Sequence, residues 1–229
     1  MTERRIIVAL DVSRATELRQ LVRQIEDSNC RVKIGKELFT SIGPLAIEIC
    51  HDAGLDVFLD LKFHDIPNTC AKAVRAAARW GVWMTNLHCS GGADMVAAVR
   101  EMLEGEAHRP LLIGVTVLTS MSSAGLRQLG IARDLESHVD YLAKLAHVAG
   151  LDGVVCSGEE TRRLRQSIGK DFCLVTPGIR PTWANNNDQA RVVTPARAIA
   201  DGSDYLVIGR PITDSEYPQN AIARIVSEI

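Results

Sequence analysis

The sequence predicts an α/β fold, a single (β/α)8 barrel of the TIM type spanning residues 1–229, and three observations predict it. Eight short runs rich in Val, Ile and Leu recur along the chain. They lack the strict apolar/polar alternation of a half-exposed sheet, as expected of parallel strands covered on both faces. Segments with helical character lie between them, and the length suits one barrel. The competing arrangement, an open doubly wound sheet, usually has five or six strands.

The first run, 6-IIVAL, turns polar at Asp11 and is too short for a signal-peptide core or a membrane span. The second, 32-VKIG, carries Lys33. The third, 57-VFLDL, begins as a buried strand and then meets three charges, Asp60, Lys62 and Asp65, before Ile66-Pro67 turns the chain. An Ala-rich helix follows in 69-TCAKAVRAAARWG, with Asn68 or Thr69 placed to cap its start and Gly81 to end it. After the run 82-VWMTNL come 88-HCS and the pair 91-GG, a turn of the kind that starts a helix. Thr119 follows the run 111-LLIGVTVL. In 137-SHVDYLAKLAHVAG, Leu142, Leu145, Ala146 and Ala149 fall on one helical face. The runs 153-GVVCS, 172-FCLVT and 205-YLVIG complete the set, the last two leading into 176-TPGIRP and Gly209-Arg210. No linker, low-complexity tract or charge run marks a domain boundary.

Composition narrows the function. A net charge of -2 gives no electrostatic footprint for nucleic acid or an anionic membrane. Aromatic residues make up only 4% of the chain, too few for base-stacking platforms. The six cysteines are scattered, with no C-x-x-C pair and no secretory signal, so they read as reduced, mostly buried thiols of a cytoplasmic protein.

In either α/β arrangement the polar residues at the strand ends converge on one mouth. Asp60 and Lys62 are two apart and would point the same way on an extended strand. An ion-pair network tying strand to loop would explain the cluster structurally. Its place at the functional end of a strand favours chemistry instead. Two carboxylates favour a protonated lysine, which suits a proton donor or charge clamp and not a Schiff-base nucleophile. Gly209 and Arg210, beside Gly178 and Arg180 at the neighbouring strand end, suit an anion site of backbone N–H groups and guanidinium forks. Asp11 and Lys33 either contact sugar hydroxyls or pair with each other. His51, His108, His138 and His147 are expected to be solvated. His64 and His88 lie nearer strand ends, but no His/Cys/carboxylate spacing suggests a metal. The chain has no G-x-S-x-G elbow, P-loop or G-x-G-x-x-G fingerprint.

The stretches VALD, KIGKELF, FLDLKFHDIPNT, VTVLTSM, VTPGIRP and YLVIGRPI, in that order, resemble the orotidine 5'-monophosphate decarboxylase family from about Ile7 to Pro211. The resemblance implies a (β/α)8 barrel that converts orotidine 5'-monophosphate to uridine 5'-monophosphate (UMP) and CO2, the last step of pyrimidine synthesis, with no metal or organic cofactor. It implies that Lys62 protonates C6 of the pyrimidine, that Asp60 lies near the substrate carboxylate, and that Asp11 and Lys33 bind ribose hydroxyls. Lys33 would also join the alternating charge array. Thr119 would contact the pyrimidine, and Gln189, Gly209 and Arg210 the phosphate, with Arg180 in a matching motif. It further implies a homodimer in which Asp65 and Thr69 reach into the partner's site. Two other readings stand beside it. One is a Mg2+-dependent sugar-phosphate enzyme of the same superfamily, which would carry a glutamate where this chain has Lys33. The other is a catalytically silent nucleotide-binding barrel, which could dispense with the aspartate–lysine cluster.

Overall fold

The structure, a computed structural model, describes residues 4–184 and 192–229. Eight parallel strands close into a barrel in sequence order: β1 (Ile6–Ala9), β2 (Cys30–Ile34), β3 (Val57–Phe63), β4 (Met84–His88), β5 (Leu111–Val115), β6 (Gly153–Val155), β7 (Cys173–Thr176) and β8 (Tyr205–Ile208). Pairing of β8 with β1, Leu206 level with Ile6, completes the closure and rules out the open sheet. The helices among the described residues are α1 (Ala15–Ile25), α2 (Lys36–Ile42), α3 (Leu45–Asp52), α4 (Pro67–Arg79), α5 (Gly92–Leu103), α6 (Ser123–Gln128), α7 (Leu135–Val148), α8 (Gly158–Ile168), α9 (Pro195–Ala200), α10 (Arg210–Thr213) and α11 (Pro218–Val226).

Two apolar layers follow from the strand period of two. Ile6, Val8, Val32, Ile34 and Leu206 face outward and pack beneath the helices. Ile7, Ala9, Phe58, Met84, Ile113, Val175 and Val207 face inward and fill the barrel. Towards the N-terminal ends of the strands, the Arg31 guanidinium lies 4.2 Å from the Trp83 ring centroid and 5.4 Å from that of Tyr205. Its Nε donates to Asp56 at 3.2 Å. The barrel is therefore a packed core with a closed floor.

All eight strand expectations hold, and two helix details change. Helix α4 starts at Pro67, ahead of Thr69, with Ile66 as its cap residue. Proline suits this first position because its missing N–H would have no helical partner there. Asn68 and Thr69 thus lie inside the first turn, while Gly81 at φ 74° ends the segment as expected. Helix α7 starts two residues early, its N-cap Asp134 accepting from the Ser137 N–H at 2.8 Å. Its buried face is His138, Val139, Leu142, Ala143 and Ala146. His138 is therefore buried, contrary to the solvated place expected for it, because that face packs on the barrel.

Candidate active site

Four side chains form an alternating row across the barrel mouth. Lys33 Nζ lies 3.6 Å from Asp11 Oδ1 and 3.5 Å from Asp60 Oδ2, and Lys62 Nζ lies 2.6 Å from Asp60 Oδ1. The two are thus joined through one carboxylate. Asp11 follows β1 and is exposed, whereas Asp60 is buried. A buried ion pair is a poor source of stability, since desolvation offsets most of the Coulomb gain. Its retention where strand ends converge points to chemistry.

Strand β3 is distorted to make this row. Leu59 is level with Thr85 and Phe63 with Leu87, so β3 spends four residues where β4 spends two. Lys62 sits in the extra length with φ 52°, the one non-glycine residue with positive φ among the described residues. Such a conformation is disfavoured for a side chain with a Cβ and marks functional sites. Asp60 and Lys62 therefore meet through a bulge, whereas a regular strand was expected to align them. Asn86, buried on β4, joins both: its Nδ2 donates to Asp60 Oδ1 at 2.7 Å, and its Oδ1 accepts from the Lys62 N–H at 2.7 Å. No sequence motif drew attention to Asn86. The available signal was a polar Thr85-Asn86 pair inside an otherwise apolar strand.

Above the core lies a cavity of about 170 Å³, lined by Lys33, Asp60, Lys62 and Thr119 and walled by apolar side chains including Val115, Val155, Val175, Pro177 and Val207. It is smaller than the roughly 300–1,000 Å³ of pockets that enclose a drug-sized ligand. It suits the reacting portion of a substrate whose remainder lies along the rim. Apolar walls strengthen the interactions of the charges they enclose.

Gly209 caps the short α10 just beyond β8, and a Cβ placed there would stand 3.5 Å from Asp11 Oδ2. Arg210 opens that helix on the same rim. Arg180 is buried past β7, its Nη1 donating to the Ile179 carbonyl at 2.9 Å. Gln189 lies outside the described residues. Asp65 and Thr69 are exposed, and Asp65 Oδ1 accepts from the Ile66 N–H at 2.7 Å. His88, at the end of β4, has its ring centroid 5.2 Å from that of His64. Burial pulls its pKa below the usual imidazole value, with His64, Lys36 and Lys62 adding to the effect and Asp60 opposing it. Among the described residues, no group of three or more His, Cys, Asp or Glu side chains is arranged to hold a metal ion.

Comparison with known proteins places this geometry. The model of the Orotidine 5'-phosphate decarboxylase / HUMPS family matches residues 4–225. The chain is 55% identical to an orotidine 5'-phosphate decarboxylase of Vibrio cholerae serotype O1 (strain ATCC 39541 / Classical Ogawa 395 / O395), over 100% of both chains. It is 53% identical to that of Hahella chejuensis, over 98% of this chain and 97% of the other. Among solved structures, the Lactobacillus acidophilus orotidine 5'-phosphate decarboxylase aligns with a TM-score of 0.88 at 38% identity, covering 99% of each chain. An uncharacterized conserved protein from Geobacillus kaustophilus aligns at 0.86 and 38%, covering 97% of this chain and 99% of the other. With a match across nearly the whole barrel and a charged row at its mouth, the chain belongs to the Orotidine 5'-phosphate decarboxylase / HUMPS family.

Proposed function

We propose that this chain releases CO2 from orotidine 5'-monophosphate to give UMP, with Lys62 as the proton donor. The relatives' shared name, at 53–55% identity over the whole chain, supports the reaction. The alternating Asp11–Lys33–Asp60–Lys62 row supports the mechanism.

Loss of CO2 from C6 leaves an electron pair in the plane of the pyrimidine ring, where no conjugated group can delocalise it. Stabilisation must come from outside the ring, and a fixed ammonium against an apolar wall supplies it. Lys62 offers that charge and then a proton to C6. Asp60 holds the ammonium in place and presents a negative charge to the substrate carboxylate, an interaction relieved as CO2 departs. Only contacts stronger in the transition state than in the bound substrate raise the rate. The phosphoribosyl group binds along the rim through Gly209 and Arg210, with Arg180 nearby and Asp11 and Lys33 at the ribose; the family resemblance adds Gln189 as a phosphate contact. Thr119 faces the ring.

We also propose a homodimer in which Asp65 and Thr69 serve the neighbouring copy's site. Asp65 turns onto its own backbone here, and Ile66 beside it is 67% exposed. A second copy would cover this run.

The family name spans a second group, and one position separates it from the decarboxylase reading. Lys33 places an ammonium between Asp11 and Asp60, and its charge would repel a divalent cation there. Incubation with orotidine 5'-monophosphate, with and without chelator, tests the choice. UMP and CO2 should form equally in both. Activity lost to chelator and restored by Mg2+ would favour the metal-dependent sugar-phosphate enzymes, and UMP binding without turnover would favour a silent nucleotide-binding barrel.

A further inference from the structure

Resting on that reading, we propose that Asn86 is a positioning residue for the decarboxylation: its side-chain amide replaces a missing rung of the β3–β4 ladder and fixes Lys62 and Asp60 against each other.

Where β3 spends four residues against two of β4, the backbone groups between Leu59 and Phe63 lose regular partners. Thr85 and Asn86 stand opposite this gap and fill it with side chains. Thr85 Oγ1 donates to the Leu59 carbonyl at 3.0 Å, and Asn86 Oδ1 accepts the Lys62 N–H at 2.7 Å. A carboxamide has the donor and acceptor of a peptide group, so it continues the ladder where the main chain cannot. The acceptor half holds Lys62 in its left-handed conformation. The donor half, at 2.7 Å from Asp60 Oδ1, leaves the carboxylate little freedom to turn. Lys62 Nζ approaches the same oxygen at 2.6 Å. One side chain thus sets the start of the lysine stem and the carboxylate at its tip.

Asn86 is fully buried, so solvent cannot substitute for either bond. It does not line the cavity, which distinguishes it from a substrate-binding residue. Its influence should therefore fall on the chemical step and spare the binding of the phosphoribosyl group. Losing one charge-assisted hydrogen bond that aligns a transition-state contact corresponds to about a 10- to 100-fold loss of rate.

The test compares wild type with Asn86→Ala and the isosteric Asn86→Asp. Decarboxylation of orotidine 5'-monophosphate gives kcat and KM, a UMP titration gives the dissociation constant, and a thermal melt gives the folded fraction. For Asn86→Ala, kcat per folded molecule should fall about 10- to 100-fold while KM and the UMP constant stay within about twofold. Asn86→Asp keeps the acceptor but loses the donor and sets a second carboxylate against Asp60, so kcat should fall at least as far. Should the alanine variant fail to fold, the aspartate variant decides by the same measurements. Unchanged kcat, or KM and the UMP constant rising together at constant kcat, would overturn the inference. Hydrogen exchange at the Lys62 amide reads the clasp without reference to turnover and should be at least about tenfold faster in Asn86→Ala; equal protection would overturn the inference too. A wild type that forms no UMP would instead defeat the functional reading, leaving amide exchange to decide whether Asn86 holds the strand.

Discussion

At Lys62 the backbone adopts a conformation that an ordinary lysine would avoid, and the residue is held there by its neighbours. The expected cost of removing its side chain is therefore chemical more than structural. Lys62→Ala should lower CO2 release by at least about 1,000-fold while the protein folds and binds UMP, as measured by radiolabelled CO2 release and calorimetric titration. Undiminished turnover would defeat the proton-donor assignment. Two histidines supply a pH prediction. Burial is the main cause that lowers the pKa values of His88 and His138 below 6.5. The unfolded chain then takes up protons more readily than the folded one, so their contribution is complete above pH 6.5 and is lost as the pH falls below it. Melting temperature should drop between about pH 7 and pH 5.5, and His138→Gln should flatten that decline; equal slopes would contradict the assignment. At this scale the charged residues were legible because charge at the end of an apolar strand is conspicuous. Asn86 was not, since its role depends on a bulge that no spacing in the sequence announces. His138 was misjudged because burial of a helix face depends on what packs against it.

Among the elements, the strands were the most legible part of the chain. Parallel strands covered on both faces must be apolar throughout, and 6-IIVAL or 111-LLIGVTVL meets that demand without ambiguity. Helix starts were less so: at α4 the helix begins at Pro67, ahead of both expected caps, Asn68 and Thr69. Close strand approach gives a prediction of its own. A Cβ on Gly153 of β6 would stand 2.1 Å from the Cys173 carbonyl oxygen on β7. Backbone cannot yield as a flexible side chain would, so Gly153→Ala should destabilise the barrel by about 1–3 kcal/mol. Urea unfolding would measure it, and a midpoint equal to wild type would show that the strands can part without cost.

For the whole molecule, shared sites would make activity recoverable from two inactive chains. Mixing Asp65→Ala with Lys62→Ala, after subunit exchange, should restore about a quarter of the site activity expected of wild type, because half of the chains' pairings are hybrid and each hybrid holds one intact site. No recovery despite demonstrated exchange would refute sharing. The thiols test the packing. Burial pushes Cys30, Cys50, Cys89 and Cys156 up to about 12 and Cys70 to about 11. Native protein should react slowly with a disulfide reagent near pH 8, and all thiols should titrate on unfolding. Rapid labelling of the native chain would show that the core opens readily.

Among the described residues, the packed floor of Ile7, Phe58, Met84 and Ile113, with Arg31 wedged beneath, closes the barrel from below and leaves its mouth as the doorway. On the proposed mechanism, CO2 formed beside Lys62 would have to leave upward, past the nucleotide that produced it or after that nucleotide has gone. Until one of them leaves, the pair would remain confined together, and on the proposed mechanism the proton from Lys62 would decide whether the bond can re-form. Speed of protonation, and not only ease of bond breaking, thus becomes a condition of net turnover.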